Sequence, residues 1–341
     1  MISQAIRHRR LTRDLCATIF HSPRRNRVMT FPVIVCVGAA IVDCIIKDFN
    51  PEPISATGFF AGSSDLMPGG EALNQAVTLQ KLGKKARIVC YTGKDGAADI
   101  LLNELHRFEV DTTFALHPDG AKTPVTVMFV DETGDRKSIT TTAHRYNFHP
   151  ERDMSYLDGA QALSLCSLFR APFNDPDVVY ALCSEASRRG IPVYADTKLP
   201  NANRLTLHDL RASLPLIDTI FPNEKEAAFY TGKTEPEEMA DVFLSYGIKH
   251  VIIKLGADGC LLKNAADTIR LPALPVQTID ATGAGDNFAA AFICMRTEGK
   301  GLPDALRFAN ACAAISTTST GATTGVKSRG QIEALLHSLL K

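Results

Sequence analysis

The residues best equipped for chemistry lie between Thr278 and Phe292, in the run Thr-Ile-Asp-Ala-Thr-Gly-Ala-Gly-Asp-Asn-Phe-Ala-Ala-Ala-Phe. Gly283, Ala284 and Gly285 form a turn that opens a helix, because Phe288, Phe292 and Met295 recur at spacings of four and three, one helical face. Backbone N–H groups at such a terminus point outward and carry about half a positive charge, which suits an anion. Asp286 falls in the first turn of that helix. A carboxylate is a poor phosphate ligand because like charges repel. It serves well as a base that takes the proton from a hydroxyl attacking the phosphate. The plainer reading is an acidic first-turn residue of the kind helices favour on electrostatic grounds.

Other groups fit the same chemistry. Asp43 follows Val33–Gly38, a continuous β-branched run ended by glycine. An acid just past the C-terminal end of a buried strand is a ligand candidate, or a solvated turn acid. Gly69 and Gly70 permit close backbone approach to a ligand. Asn74, near the start of the next helix, carries an amide that can both donate to and accept from sugar hydroxyls. Asn223 and Glu226, three apart at a helix start, fit a capping box. Lys254 ends an apolar run, where it could pair with a phosphate or reach solvent. The Ser/Thr/Gly loop from Ser316 to Gly325, with Ser319 and Gly321 in it, could hold a monovalent cation (K+) together with Asp280 and Thr282. It also reads as an ordinary loop.

Two of these strings are specific. Asp280-Ala-Thr-Gly-Ala-Gly-Asp286 resembles the second signature of the PfkB, ribokinase-like, family of carbohydrate kinases, and Gly69-Gly70-x-x-x-Asn74-x-Ala76 closing at Leu82-Gly83 resembles the first. The resemblance spans roughly residues 31–341. It implies an α/β fold, a ribokinase-like parallel-sheet three-layer sandwich with a small β lid, and ATP-dependent phosphorylation of a sugar hydroxyl. In that picture Asp43, Gly69, Gly70 and Asn74 hold the sugar and Asp286 is the base. The N–H groups of Gly283, Ala284 and Gly285 stabilise the transferring phosphoryl group. The family's Asn-x-x-Glu places Asn223 by the nucleotide and Glu226 by Mg2+ and its waters. Lys254, Gly256 and Gly259 match the segment beside the nucleotide phosphates and ribose, and Asn310 a position beside the adenine.

Departures bear on the substrate. Ile41 stands where ribokinases carry Asn, Ala72 where they carry a third glycine, and Cys166-Ser-Leu-Phe-Arg170 where they carry a glutamate near the sugar. Arg136, Lys137, Arg170 and Lys198 fall near the expected sugar end. Kinases of 2-keto-3-deoxygluconate use basic residues in this neighbourhood, so a sugar acid is the expected substrate type. A nucleoside is the alternative within the fold, with Phe59, Phe60 or Phe129 stacking on the base. A non-catalytic sugar or nucleotide sensor on this fold predicts a damaged turn, whereas Gly283–Asp286 is intact.

These residues must be positioned by elements that the pattern supplies. Strands are expected at Val33–Gly38, Arg87–Tyr91, Ala160–Cys166, Pro192–Ala195, Leu216–Phe221, His250–Lys254 and Leu271–Ile279. Helices are expected at Glu71–Leu82, Ala97–Phe108, Asp175–Arg189, Leu205–Ala212, Asn223–Tyr230, Glu235–Tyr246, Leu302–Ser316 and 328–340. Strict β–α alternation after His149 implies a parallel sheet covered on both faces. The short β segments Val125–Val130 and Arg136–Thr142, with an Asp-Glu-Thr-Gly turn, read as a hairpin. Pieces 44–67 and 112–146 form the lid, which in the family often also dimerises the protein.

Composition agrees. Lys plus Arg and Asp plus Glu are 37 each, so no basic field invites nucleic acid. The longest uncharged apolar run, Phe31–Val42, is too short for the ~20 residues that a membrane span needs. Nine cysteines without a Cys-x-x-Cys pair point to reduced thiols in a cytoplasmic protein. No strand is followed by Gly-x-Gly-x-x-Gly, which argues against a dinucleotide oxidoreductase. Residues 1–29 differ from the rest, with seven arginines and one acid, Asp14. They read as a tail from an upstream start with Met29 the functional start, as a basic arm, or as a transit-type segment. The first is expected, because the fold-like pattern begins at Phe31. The kinase domain is then 30–341.

Overall fold

The computed structural model describes residues 32–48, 61–131, 136–141, 148–200 and 204–339. The basic extension, Phe59, Phe60 and the expected hairpin turn lie outside the described residues. In chain order the strands are β1 (Val33–Gly38), β2 (Ile41–Lys47), β3 (Ser63–Gly69), β4 (Lys85–Val89), β5 (Val125–Val130), β6 (Arg136–Thr140), β7 (Ala160–Leu168), β8 (Val193–Thr197), β9 (Ile217–Phe221), β10 (His250–Lys254), β11 (Cys260–Asn264) and β12 (Thr268–Leu271). The helices are α1 (Glu71–Lys81), α2 (Gly96–Arg107), α3 (Pro176–Arg188), α4 (Glu224–Thr231), α5 (Pro236–Ser245), α6 (Ala284–Thr297), α7 (Leu302–Ser316) and α8 (Arg329–Ser338).

The main sheet runs β12-β11-β10-β9-β8-β7-β1-β4. It is parallel from β4 to β10 and antiparallel across β11 and β12. Alternation along β1 sorts the core into two layers. Ile34 and Cys36 pack with α1, α2, α6 and α7 on one face. Val33, Val35 and Val37 pack with α3 and α5 on the other. This is the three-layer sandwich the alternation implies, because side chains along a strand point to opposite faces.

Two expectations fail for local reasons, and one hairpin went unforeseen. The strand at Leu271–Ile279 stops at Leu271, since Pro272 and Pro275 remove ladder donors. That extended segment lines a cavity instead. No helix forms at 205–212. Backbone N–H groups there donate three residues back, Leu210 to Leu207, Arg211 to His208 and Ser213 to Leu210, so the stretch winds as successive tight turns. β11 and β12, absent from the sequence reading, make a hairpin that caps the sheet beside β10.

A second sheet, β3-β2-β5-β6, forms the lid. Residues 111–116 do not belong to it. They run beside β4, bridging Arg87 to Asp111 and Tyr91 to Leu116. Within the lid, Asp43 pairs with Met67 and Thr126, whereas Arg136 pairs with Val130 and, through it, Lys47. Asp43 and Lys47 stand four residues apart on β2, about 13 Å along a strand.

Candidate active site

Gly283 begins the site with φ 75°, a left-handed conformation that only glycine adopts cheaply, and caps α6. A side chain there would also meet the Cβ of Ala322 at 2.5 Å. Asn287 buckles the turn in place. Its Nδ2 donates to the carbonyls of Gly283 and Ala322, both at 2.8 Å, and its Oδ1 accepts from Thr78 Oγ1 at 2.8 Å. At Gly285 a Cβ would lie 3.0 Å from Lys254 Nζ, so glycine lets the lysine close over the turn.

Asp286 is buried in the first turn of α6 and lines the cavity. Burial raises its carboxyl to about 7. Lys198 and the Asn74 amide pull it down, while Glu71 and Asp196 push it up. A base poised near neutrality is what general-base catalysis favours. Asn74 Nδ2 on α1 donates to Asp286 Oδ2 at 2.7 Å. Asn74 Oδ1 is buried without a partner, an acceptor aimed at a donor such as a hydroxyl. Asp43 lies against Gly69, and burial followed by the charge of Glu71 raises it to about 6. Asp43, Gly69, Gly70 and Asn74 thus gather at the α1 side of Asp286.

On the other side is a cavity of about 780 Å³. Asn223, Glu226, Lys254, Gly256, Gly259, Asn310 and the whole turn Gly283–Asp286 line it, with an apolar wall at Leu274, Pro275 and Val276. Asn310 Nδ2 is held by the carbonyl of Pro272 at 2.7 Å. Asn223 and Glu226 do form a capping box, so that reading of the sequence holds at the same residues that face the cavity. Glu226 Oε2 also accepts from Thr197 Oγ1 at 2.8 Å, and burial raises its carboxyl. Among the described residues no three His, Cys, Asp or Glu side chains converge as a metal cage. A metal here fits only if phosphate oxygens and water complete its shell, as is usual for Mg2+.

Asp280 is already engaged. Oδ1 accepts from the N–H and hydroxyl of Thr282 at 2.9 and 2.7 Å, and Oδ2 from the N–H of Gly321 at 2.9 Å. Ser316 Oγ donates to Ala313 O inside α7, and Ser319 is half-buried in the following loop.

Two of the cations expected near a substrate carboxylate, Lys198 and Arg170, have partners within the protein. Lys198 Nζ lies 3.3 Å from Glu71, and Arg170 Nε donates to the carbonyl of Leu199 at 2.8 Å. The backbone of Arg136 sits at the far end of the lid ladder from Asp43. Phe129 occupies the lid face opposite to Asp43, because Asp43 pairs with Thr126 and the side-chain period is two. The sequence reading missed Asp196, which holds Lys254 Nζ at 2.6 Å at the cavity edge, and also Glu71 and Asn287. A hint of Asp196 was present in its place at the end of a buried strand, the same signal that marked Asp43.

The pfkB family carbohydrate kinase model matches residues 32–329. The chain belongs to this family. Its members phosphorylate alcohol groups, so the protein is a carbohydrate kinase of ribokinase-like fold. It is similar to the ribokinase of Haemophilus influenzae, 30% identical over 280 residues, which cover 79% of this chain and 88% of the relative. Arabidopsis thaliana ribokinase complexed with ribose and ATP superposes with TM-score 0.78 at 25% identity, covering 90% of this chain and 99% of the other. The E. coli protein described as ribokinase II, in complex with ATP and Mg2+, gives 0.74 at 25% identity, covering 91% and 100%.

Proposed function

We propose that this kinase transfers the γ-phosphate of ATP to a hydroxyl of a small, neutral sugar, with Asp286 as the base. The observation that carries the reading is the bond from Asn74 to Asp286. It ties the acceptor-side helix to the carboxylate at the head of the anion turn. Asn74 and Asp43 orient the sugar, Asp286 takes the proton of the attacking hydroxyl, and the N–H groups of the turn meet the charge on the phosphoryl oxygens. Lys254 adds a cation over Gly285. The apolar wall and Asn310 suit an adenine ring. Mg2+, as in the E. coli relative, supplies neutralisation of the nucleotide oxygens, with Glu226 as the residue that would hold its water shell.

Neutral sugars are favoured over sugar acids because Lys198 and Arg170 are already engaged. A K+ site at Asp280, Thr282 and the 316–321 loop remains part of the proposal. It predicts faster turnover in potassium than in choline buffer. A nucleoside acceptor is less favoured, because Phe129 lies on the far face of the lid. A lid-mediated homodimer is supported by one ladder row, Leu66, Cys44, Val127 and Ile139, whose end members are 60% and 66% exposed. An ADP-release screen over neutral sugars, sugar acids and nucleosides tests the substrate. Neutral sugars should give the highest kcat/KM, and a sugar acid that outperforms all of them defeats the neutral-sugar assignment.

A further inference from the structure

Lys198 has a place too well built for a stray surface cation. Its N–H donates to the carbonyl of Leu168 at 3.1 Å, and its carbonyl accepts from Tyr230 Oη at 2.6 Å. The Tyr230 ring stacks on Phe169 with centroids 3.9 Å apart. Phe169 follows β7 with φ 74°, a left-handed conformation rare for an aromatic residue. The backbone of Lys198 is thereby pinned between the ends of β7 and α4. Its side chain, 29% exposed, reaches Glu71 at the N-terminus of α1 and lines the cavity beside Asp286.

The ammonium faces carboxylates from four elements: Glu71 on α1, Asp286 on α6, Asp196 on β8 and Glu226 on α4. Burial would drive its proton off, but these charges outweigh burial and keep it firmly protonated. Glu71 behaves reciprocally. Burial alone would raise it, yet Lys198, its own backbone N–H and Arg170 hold it at about 2. The neighbours facing Asp286 are Glu71 and Asn74 from α1, Asp196 from β8 and Lys198 from the loop after it; Lys254 on β10 is tied to Asp196. Lys198 is the cation among those that act on Asp286 directly.

We infer that Glu71 and Lys198 form a positioning pair for the base: Glu71 holds the Lys198 ammonium beside Asp286, and the balance of these two opposite charges sets the pH range in which Asp286 accepts the proton. The inference rests on Asp286 being the base. It gives Lys198 a role in the transfer step in place of one in binding a substrate carboxylate.

The two members must act in opposite directions. Removing the ammonium leaves Asp286 facing Glu71 and Asp196 alone, so the acid limb of the kcat–pH profile moves to higher pH. Removing the Glu71 charge deletes a repulsion and releases the ammonium toward Asp286, so the limb moves to lower pH. An opposite charge within about 4–6 Å is typically worth 1–3 pH units.

The test is kcat and sugar KM from about pH 5 to 9 for wild type, Lys198→Met, Lys198→Arg, Glu71→Gln and Asp286→Asn, with the best sugar of the screen. Expected are an upward shift of about one unit or more in Lys198→Met and a downward shift in Glu71→Gln. Lys198→Arg should restore the wild-type profile, and sugar KM should stay within about threefold throughout. A purely structural lesion would lower kcat at every pH without moving the limb in opposite directions. Lys198→Met raising KM tenfold with an unmoved limb overturns the inference in favour of substrate contact. Unmoved limbs in both variants overturn it outright. If Lys198→Met does not fold, the direction of the Glu71→Gln shift decides. Wild-type turnover in Asp286→Asn sinks the base assignment itself, a result distinct from failure of the pair.

Discussion

Asp286 is asked to be buried and ionised at once, and those demands conflict. Its carboxyl is raised from 3.8 to about 7, first by burial and then by Glu71 and Asp196 against Lys198. A raised carboxyl favours the folded state while protonated, so ionisation weakens the fold as pH climbs. The penalty sets in above the ordinary carboxylate range near 4, grows to about pH 7 and is constant beyond it. Asp286→Asn removes the charge and leaves an amide oxygen to accept from Asn74. The variant should therefore melt at a higher temperature than wild type at pH 8, with the gap closing toward pH 4. Thermal unfolding across that range checks it, and a variant that melts lower at pH 8 contradicts the electrostatic account. Stability given up at a functional residue is a common trade.

At the scale of elements, the proposed function leans most on the turn before α6. Gly283 sits at φ 75° against Ala322. Gly283→Ala should lose about 1–2 kcal/mol from the left-handed backbone alone, and more from the contact. Urea unfolding measures the loss, and kcat should fall with it because the N–H groups lose their aim. This turn was legible in sequence because everything that defines it is local: two glycines, an acid and the small-residue helix. The buried strands were legible for the same reason, as continuous apolar runs such as Val33–Gly38. The failures were of other kinds. Two prolines stopped the strand expected at 271–279, and the helix expected at 205–212 is wound instead as tight i→i−3 turns. The pairs Glu71–Lys198 and Asp196–Lys254 join residues far apart in the chain, and no periodicity announces them. Lys198 was found as a basic residue near the site, but its partner could not be read until α1 and β8 were set side by side.

For the molecule as a whole, the sandwich brings α1, the cavity and the turn before α6 to one edge of a parallel sheet, and the lid adds Asp43. The exposed row Leu66–Cys44–Val127–Ile139 gives that lid an apolar outer face. If two copies pair there, light scattering should find a dimer that Ile139→Glu converts to monomer; a wild-type monomer at micromolar concentration contradicts the pairing. ADP release from ATP with the preferred sugar should drop about 10²–10⁴-fold in Asp286→Asn, while the affinity for ADP stays at the wild-type level. Turnover close to wild type in that variant would contradict the account.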